Sequence, residues 1–313
     1  MIPRRVLLYH PDEAEAYARL VKAPRGAIRL DVCSTPEAAV KPIRGAEILY
    51  AWRFPPHLLA KASRLRWIQG MGAGVESFLV PELPARVIVT RAAGIFGPWM
   101  AEYTLGWCAW VSQRMEAFRE AQRQRLWRAL DPGPLHGRTL AIVGLGDIGK
   151  AIARAARAVG MRVIGVSRSG KRERGVAAVY RPSAIARALG QADFVVIVLP
   201  LTKETRGLIG EAELRAMKPR AWLVNIGRGP VIDETALMRA LSEKRISGAI
   251  LDVFETEPLP PDHPLWTLPN VVITPHIAGP SVPEEIAPVF NDNLRRYLAG
   301  RRLRHLVNRS RGY

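Results

Sequence analysis

One stretch of the sequence constrains the fold more than any other. The apolar run "TLAIVGLG" (139–146) leads directly into "IGKAIARAARAVG" (148–160), which has the spacing of a helix, and Gly144, Gly146 and Gly149 stand between them as G-x-G-x-x-G. The first glycine permits a tight turn, the second a close approach to a pyrophosphate, and the third the packing of helix on strand. The stretch predicts a dinucleotide-binding turn; a glycine turn in a flavodoxin-like sheet is the alternative.

Apolar runs recur on both sides of this motif. After it come "RVIGV", "DFVVIVLP", "AWLVNIG", "SGAILDVF" and "NVVITPHI", and before it come shorter runs at 5–9, 27–33, 46–51, 65–69 and 86–90. Continuous apolar runs separated by helical segments are typical of strands buried on both faces of a parallel sheet. We predict an α/β protein of two doubly wound parallel-sheet domains, a discontinuous flavodoxin-like domain (1–97 plus 284–313) and a Rossmann domain (98–283).

A long helix is predicted inside the second domain. It would begin at Trp99, just after Pro98, and continue to about Trp127 with an apolar residue at most turns. The cluster "DPGPLHG" (131–137) contains residues that break helices and is predicted to be a loop.

The end of the second strand of the dinucleotide fold predicts the coenzyme. An acidic residue about 20 residues after the glycines binds the ribose 2′-hydroxyl of NAD, but this chain has Ser167 and Arg168 there. A hydroxyl beside a guanidinium suits a 2′-phosphate, which favours NADP over NAD. Lys171 and Arg172 would support it, and Arg174 would be solvated. The alternative is that Arg168 points into solvent and either coenzyme binds.

Charge and composition limit the classes of protein to which the chain can belong. The net charge is +18, and 38 of the 46 basic residues are arginines, but they are spread along the chain, so we expect no nucleic-acid partner. The arginine excess suits genome composition or a thermophile. With 48% hydrophobic residues, no apolar run of membrane-spanning length and no signal peptide, we expect a soluble cytoplasmic protein without a membrane partner. Cys33 and Cys108 are expected to be buried thiols, and no metal site is expected.

Three further segments carry chemistry, each just after a predicted strand. "VNIGRGPVID" contains Arg228, "LDVFETEPL" contains Glu257, and "VVITPHIAG" contains His276. Ligands bind beyond the carboxyl ends of strands in open α/β sheets. Hydride transfer to a 2-keto acid needs a cation for its carboxylate, an acid for the developing alkoxide, and a carboxylate that keeps this acid charged. Arginine, histidine and glutamate supply these functions.

On these motifs the chain resembles the D-isomer-specific 2-hydroxyacid dehydrogenase family. The resemblance extends over nearly the whole sequence, through "WIQGMGAGVE", "TLAIVGLGDIGKAIA", "LPLTKETRGLIG", "MKPRAWLVNIGRGPVIDETAL", "AILDVFETEPL" and "TPHIAG". Within the family, "WRFPPHLLAKASRLRWIQGMGAGVE" and "VSRS" are most similar to the glyoxylate and hydroxypyruvate reductase branch.

The resemblance implies residue roles. Arg228 would bind the substrate carboxylate, His276 would be the general acid and base, Glu257 would pair with His276, and Asp252 would hold the nicotinamide carboxamide. The implied substrate-binding residues are Trp52, Met71, Gly72, Ala73, Gly74 and Arg228. The implied cofactor-binding residues are Gly144, Leu145, Gly146, Asp147, Ile148, Ser167, Arg168, Ser169, Lys171, Leu199, Pro200, Thr205, Ile226, Gly227, Asp252, His276 and Gly279.

The resemblance also implies an activity and an assembly. We expect an NADP(H)-dependent reductase of glyoxylate- or hydroxypyruvate-type 2-keto acids, with NAD as a second coenzyme, whose two domains close over the substrate. A homodimer would form through the cofactor domain, with a contribution from the helix at Trp99. Two alternatives stay open: an NAD-linked phosphoglycerate or D-lactate-type dehydrogenase, and a non-enzymatic dinucleotide sensor similar to the C-terminal binding protein corepressors.

Overall fold

The computed structural model describes residues 2–313, which alternate between strands and helices. The strands are β1 (Arg4–Tyr9), β2 (Ile28–Cys33), β3 (Ile48–Ala51), β4 (Trp67–Gly70), β5 (Ile88–Thr90), β6 (Thr139–Val143), β7 (Arg162–Val166), β8 (Ala178–Tyr180), β9 (Phe194–Ile197), β10 (Trp222–Asn225), β11 (Gly248–Leu251) and β12 (Val271–Ile273). The α-helices are α1 (Ala14–Leu20), α2 (Pro36–Ile43), α3 (Pro56–Leu59), α4 (Phe96–Ser112), α5 (Met115–Arg123), α6 (Asp147–Ala158), α7 (Ile185–Leu189), α8 (Glu211–Ala216), α9 (Glu234–Ser242) and α10 (Pro283–Leu298).

The chain divides into two compact units. Unit 1 is the chain up to Ile95 together with Ser281–Tyr313, and unit 2 is Phe96–Pro280. The sheet of unit 1 has the order β2-β1-β3-β4-β5, and all its pairs are parallel. Strands β3 and β4 are buried along their whole length. Helix α10 belongs to this unit, where Phe290 stacks on Tyr50 with ring centroids 4.0 Å apart.

The sheet of unit 2 has seven parallel strands in the order β12-β11-β10-β9-β6-β7-β8. Strands β6, β9 and β11 consist entirely of buried residues, because helices cover both faces of a doubly wound sheet. Strands β7 and β8 follow β6 towards one edge of the sheet, whereas β9 to β12 follow one another towards the other edge. The boundary between β6 and β9 is therefore a topological switch point, where ligands bind in sheets of this kind. The predicted fold class, two parallel-sheet α/β domains with a Rossmann arrangement in the second, is confirmed.

The prediction of a single helix from Trp99 to Trp127 was wrong. Helix α4 ends at Ser112, and α5 begins at Met115 after Arg114 adopts a left-handed conformation with φ of 53°. The carbonyl of Ser112 accepts a hydrogen bond from the backbone N–H of Gly133 (2.7 Å), and Gln113 Nε2 donates to the Gly133 carbonyl (3.0 Å). The loop of residues 131–137 thus satisfies the end of α4, a tertiary contact that the apolar periodicity does not contain.

One strand and the character of the helices remain to be described. Strand β8 was not predicted, because it is only three residues long and half-buried. Among the helices formed by residues 2–313, none combines the length and the apolar character that crossing a membrane requires.

Candidate active site

The glycine turn follows β6 directly. Gly144 has φ of +114°, and a Cβ there would lie 2.5 Å from the carbonyl oxygen of Val198. A side chain at Gly149 would overlap the carbonyl of Gly144, so the start of α6 packs closely on the strand end. Gly146 precedes α6 and faces open space. The backbone at the N-terminus of α6, with Leu145, Asp147 and Ile148, is therefore approachable by a phosphate group.

The loop after β7 carries the residues predicted to choose between coenzymes. Ser167 Oγ accepts a hydrogen bond from the Gly170 N–H (3.2 Å), and Ser169 Oγ accepts one from the Lys171 N–H (3.3 Å). Arg168 and Lys171 are exposed. Hydrogen bonding by Thr202 lowers the pKa of Glu204, and the positive charges of Lys203 and Arg168 add to this lowering. Glu204, which no sequence motif marks, therefore lies within electrostatic range of Arg168.

The ends of β9 and β10 lie side by side at the same edge of the sheet. A Cβ at Gly227 would lie 2.8 Å from the carbonyl oxygen of Leu199, so the two backbones touch. Thr205 Oγ1 donates to the Pro200 carbonyl (2.7 Å) and closes the turn after β9. Of the other residues with predicted coenzyme contacts, Ile226 follows β10, and Gly279 lies beyond β12, against the side chain of Met100.

Arg228 lies on a loop that hydrogen bonds and packing contacts hold in place. The buried side chain of Asn225 donates to the Arg228 carbonyl (3.2 Å) and accepts from the Gly227 N–H (3.1 Å). Arg228 Nη1 also donates to the Gly227 carbonyl (2.7 Å). A side chain at Gly229 would overlap the backbone of Phe254, so this loop packs against the loop that leads to Glu257. Asn225 was not predicted, although a polar residue at the end of the apolar run "AWLVN" is a visible signal.

His276 and Glu257 are in direct contact. His276 Nδ1 lies 2.8 Å from Glu257 Oε2, and Glu257 Oε1 accepts a hydrogen bond from the Phe254 N–H (3.1 Å). Both side chains are partly exposed, at 38% for His276 and 27% for Glu257. The carboxylate is thus fixed from both oxygens, and it orients the imidazole of a histidine that remains accessible.

Asp252 is 1% exposed and holds the loop around His276. Its carboxylate accepts hydrogen bonds from Thr274 Oγ1 (2.6 Å), the Ile277 N–H (2.8 Å) and the Ala278 N–H (2.9 Å). Its carbonyl accepts one from the His276 N–H (2.9 Å). A carboxylate has about four acceptor positions, so three are used within the protein and one is left for a ligand donor. Nothing in the sequence around Asp252 marks this positioning of the loop.

The predicted substrate residues of unit 1 lie beyond β3 and β4. Trp52 packs on Gly72, where a Cβ would lie 2.8 Å from Trp52 Cζ3. The Met71 N–H donates to the Ala51 carbonyl (2.9 Å), and the Gly72 carbonyl accepts from the Ala92 N–H (3.1 Å), which fixes the loop of residues 71–74. The buried ring of His10, not predicted, lies 6.3 Å from that of Trp52, centroid to centroid.

Cys33 and Cys108 are buried free thiols. No group of three or more histidine, cysteine, aspartate or glutamate side chains in the described part of the chain is arranged to hold a metal ion.

Comparisons with known proteins give a matching family model and similar relatives. Residues 106–278 match the family model described as "D-isomer specific 2-hydroxyacid dehydrogenase, NAD binding domain". The chain is 38% identical to a glyoxylate reductase of Aeropyrum pernix, over 87% of this chain and 86% of the relative. It is 34% identical to a glyoxylate/hydroxypyruvate reductase A of Serratia proteamaculans, over 86% of this chain and 88% of the relative. A crystal structure of an NADPH-dependent glyoxylate/hydroxypyruvate reductase from Sinorhizobium meliloti, in complex with NADP and sulfate, superimposes with a TM-score of 0.91. The two sequences are 29% identical, and the superposition covers 99% of this chain and 100% of the other.

Proposed function

The chain belongs to the D-isomer-specific 2-hydroxyacid dehydrogenase family, and on that premise we propose that it uses NADPH to reduce glyoxylate- or hydroxypyruvate-type 2-keto acids to 2-hydroxy acids. Family membership makes it an NAD(P)-dependent oxidoreductase. The observation that carries the finer proposal is the 2.8 Å pair of His276 and Glu257 beyond the carboxyl ends of the parallel strands. The names of the relatives from Aeropyrum and Serratia support the class of substrate.

The residues of unit 2 supply the chemistry that such a reduction requires. When bound, NADPH supplies the hydride that adds to the carbonyl carbon. Arg228 binds the substrate carboxylate and polarises the carbonyl, and His276 donates a proton to the carbonyl oxygen as negative charge develops there. Glu257 keeps the imidazole oriented, with Nδ1 facing its carboxylate. In the reverse direction, His276 accepts the proton of the 2-hydroxyl group.

The coenzyme preference rests on the turn after β6 and the loop after β7. The open space at Gly146 fits a pyrophosphate at the start of α6. Ser167 and Arg168 would hold the 2′-phosphate, with Lys171 and Arg172 in support, and no carboxylate follows β7 at this point to repel it. The Sinorhizobium relative, which is NADPH-dependent and binds NADP, supports this preference. NAD is the second coenzyme.

Further roles complete the proposal. Asp252 has one acceptor position left, which would hold the nicotinamide carboxamide. In unit 1, the backbone of residues 71–74 would grip the substrate carboxylate, and Trp52 would contact the substrate. A homodimer through unit 2, a cytoplasmic location and a thermophilic source also stay predictions.

A kinetic panel tests the proposed function. Purified protein is assayed with glyoxylate, hydroxypyruvate, pyruvate and 3-phosphohydroxypyruvate, with NADPH and NADH in parallel. We expect glyoxylate or hydroxypyruvate with NADPH to give the highest kcat/KM. A preference for 3-phosphohydroxypyruvate or pyruvate with NADH would favour a phosphoglycerate or D-lactate-type dehydrogenase. Tight NADPH binding without turnover of any 2-keto acid would favour a dinucleotide sensor.

A further inference from the structure

A chain of hydrogen bonds connects helix α4 to the loop that carries His276. The hydroxyl oxygen of Tyr103 lies 2.6 Å from Thr274 Oγ1, and Thr274 Oγ1 donates to Asp252 Oδ1 at 2.6 Å. The Thr274 hydroxyl has one hydrogen, and the carboxylate of Asp252 only accepts. That hydrogen is therefore used on Asp252, and Tyr103 must be the donor to Thr274. The hydrogen bonds therefore all donate in one direction, from Tyr103 to Thr274 and from Thr274 to Asp252.

The last residue of this series, Asp252, binds groups of the loop on both sides of His276. Besides Thr274, the Asp252 carboxylate accepts from the N–H groups of Ile277 and Ala278. His276 itself has φ of 55°, a left-handed conformation that costs a non-glycine residue free energy and persists only where its surroundings impose it. Asp252 is 1% exposed, so each lost donor leaves a buried charge less well satisfied.

The position of Tyr103 suits a permanent donor. Its side chain is half-buried on α4, and its ring contacts that of Trp107 with centroids 6.2 Å apart. Burial raises the pKa of Tyr103 far above its usual value, so the hydroxyl keeps its hydrogen throughout the working pH range.

We propose that Tyr103 is a positioning residue for the reaction: through Thr274 and Asp252 it holds the loop that presents His276. This rests on the proposed function, because it assigns proton transfer to His276. Tyr103 and Thr274 act through other residues, so their loss should lower kcat more than it changes substrate or coenzyme binding.

The test uses Tyr103→Phe, Thr274→Val, the double variant, and Thr274→Ser as the conservative rescue. We expect kcat to fall about three- to tenfold in Tyr103→Phe, which loses a bond between neutral groups. In Thr274→Val, which loses a bond to a charged group, we expect a fall of about ten- to hundredfold. The double variant should be no slower than Thr274→Val, because Tyr103 acts only through Thr274. Thr274→Ser should retain wild-type kcat. KM for the 2-keto acid should change by less than about twofold in every variant.

Tyr297→Phe is the matched control, since it deletes another tyrosine hydroxyl with a short hydrogen bond, 2.7 Å to Glu47 in unit 1. Its kcat should equal that of the wild type. Hydrogen exchange at the Ile277 and Ala278 amides gives a second readout, independent of turnover. We expect faster exchange in Tyr103→Phe and Thr274→Val than in the wild type.

Three results would overturn the positioning role: a kcat of Tyr103→Phe within twofold of the wild type, effects of the two single variants that multiply in the double variant, or unchanged exchange at 277–278. A wild-type protein that turns over no 2-keto acid would instead refute the proposed function, and the exchange measurement would still decide whether Tyr103 holds the loop.

Discussion

Nδ1 of His276 lies 2.8 Å from Oε2 of Glu257, and this contact determines which ring nitrogen can serve a substrate. A carboxylate only accepts hydrogen bonds, so Nδ1 carries a hydrogen and Nε2 is the atom left to exchange a proton. The second oxygen of Glu257 accepts from the Phe254 N–H, so the carboxylate cannot turn away without losing a backbone hydrogen bond. Contacts within the protein therefore orient the pair.

Replacing His276 by alanine tests proton transfer. General acid catalysis typically contributes about 10²- to 10⁴-fold, so we expect kcat of His276→Ala to fall by that factor. NADPH affinity, measured by fluorescence titration, should change far less than kcat, because His276 is only one of many residues expected to contact the coenzyme. An unchanged kcat would show that another group supplies the proton.

Replacing Glu257 by glutamine separates charge from shape. The amide oxygen of glutamine can still accept from His276 Nδ1, but the negative charge beside the ring is lost. We expect kcat to fall about 10- to 100-fold, which corresponds to the roughly 1.5–3 kcal/mol of a hydrogen bond to a charged group. Glu255→Gln is the control: Glu255 is exposed and pairs with Arg206 at 3.2 Å, so its kcat should match the wild type. Equal losses in both variants would contradict the specific role of Glu257.

The sequence was sufficient to predict the local parts of this site. The G-x-G-x-x-G turn, the serine after β7 and the positions of Arg228, Glu257 and His276 after strands are all encoded within a few neighbouring residues, and the parallel sheet gathers the ends of successive strands at one edge. Contacts between distant residues were not predictable in this way. Tyr103 and Thr274 are 171 positions apart, and neither spacing nor hydropathy marks two hydroxyl groups that meet only in the folded chain.

The same limit explains the error at helix α4. The apolar residues of 99–118 have helical spacing throughout, so periodicity predicts one helix. Its end at Ser112 depends instead on Gly133, which comes twenty-one residues later and supplies the N–H that satisfies the last carbonyl. Local propensity is a weak guide where a tertiary hydrogen bond decides the boundary.

The loop after β7 predicts how coenzyme preference should respond to mutation. We expect Ser167→Asp combined with Arg168→Ala to lower kcat/KM for NADPH and to raise the NADH/NADPH ratio of kcat/KM by about tenfold or more, since a charge-assisted phosphate contact contributes roughly 1.5–3 kcal/mol. Arg174→Ala, a charge deletion at an exposed position of the same loop, should leave the ratio unchanged. An unchanged ratio in the double variant would mean that the 2′-phosphate is recognised elsewhere.

Asp193 predicts a pH dependence of stability. Burial alone would raise the pKa of Asp193, but the hydrogen bond from the Thr139 N–H and the positive charges of Lys218 and Arg220 outweigh it and lower the pKa below its usual value. The folded state therefore favours the ionised form, and this stabilisation is present above the unfolded pKa of about 3.9. It is lost as the pH falls through the lower, folded value.

We therefore expect Asp193→Asn to lose about 1–3 kcal/mol at pH 7, which corresponds to a fall in Tm of roughly 2 to 12 °C. The difference from the wild type should shrink below about pH 4, where protonation removes the same charge from the native protein. Asp262→Asn, at an exposed position in the same unit, is the control and should leave Tm unchanged. A difference in Tm that stays constant from pH 7 to pH 3 would contradict the electrostatic origin.

The last prediction concerns assembly. Large apolar side chains are exposed along α4, α5 and the segment that follows, at Trp99 (41%), Met115 (43%), Phe118 (39%), Leu126 (53%) and Trp127 (104%). Large apolar side chains that are exposed along consecutive elements define a candidate interaction surface. We expect light scattering after size exclusion to give the mass of two chains, and Phe118→Glu with Trp127→Glu to give that of one, because a buried unpaired charge destabilises an interface. Trp266→Glu, at another exposed tryptophan of unit 2 (51%), should stay dimeric. A wild-type monomer, or a double variant that remains dimeric, would show that this surface is not where two chains meet.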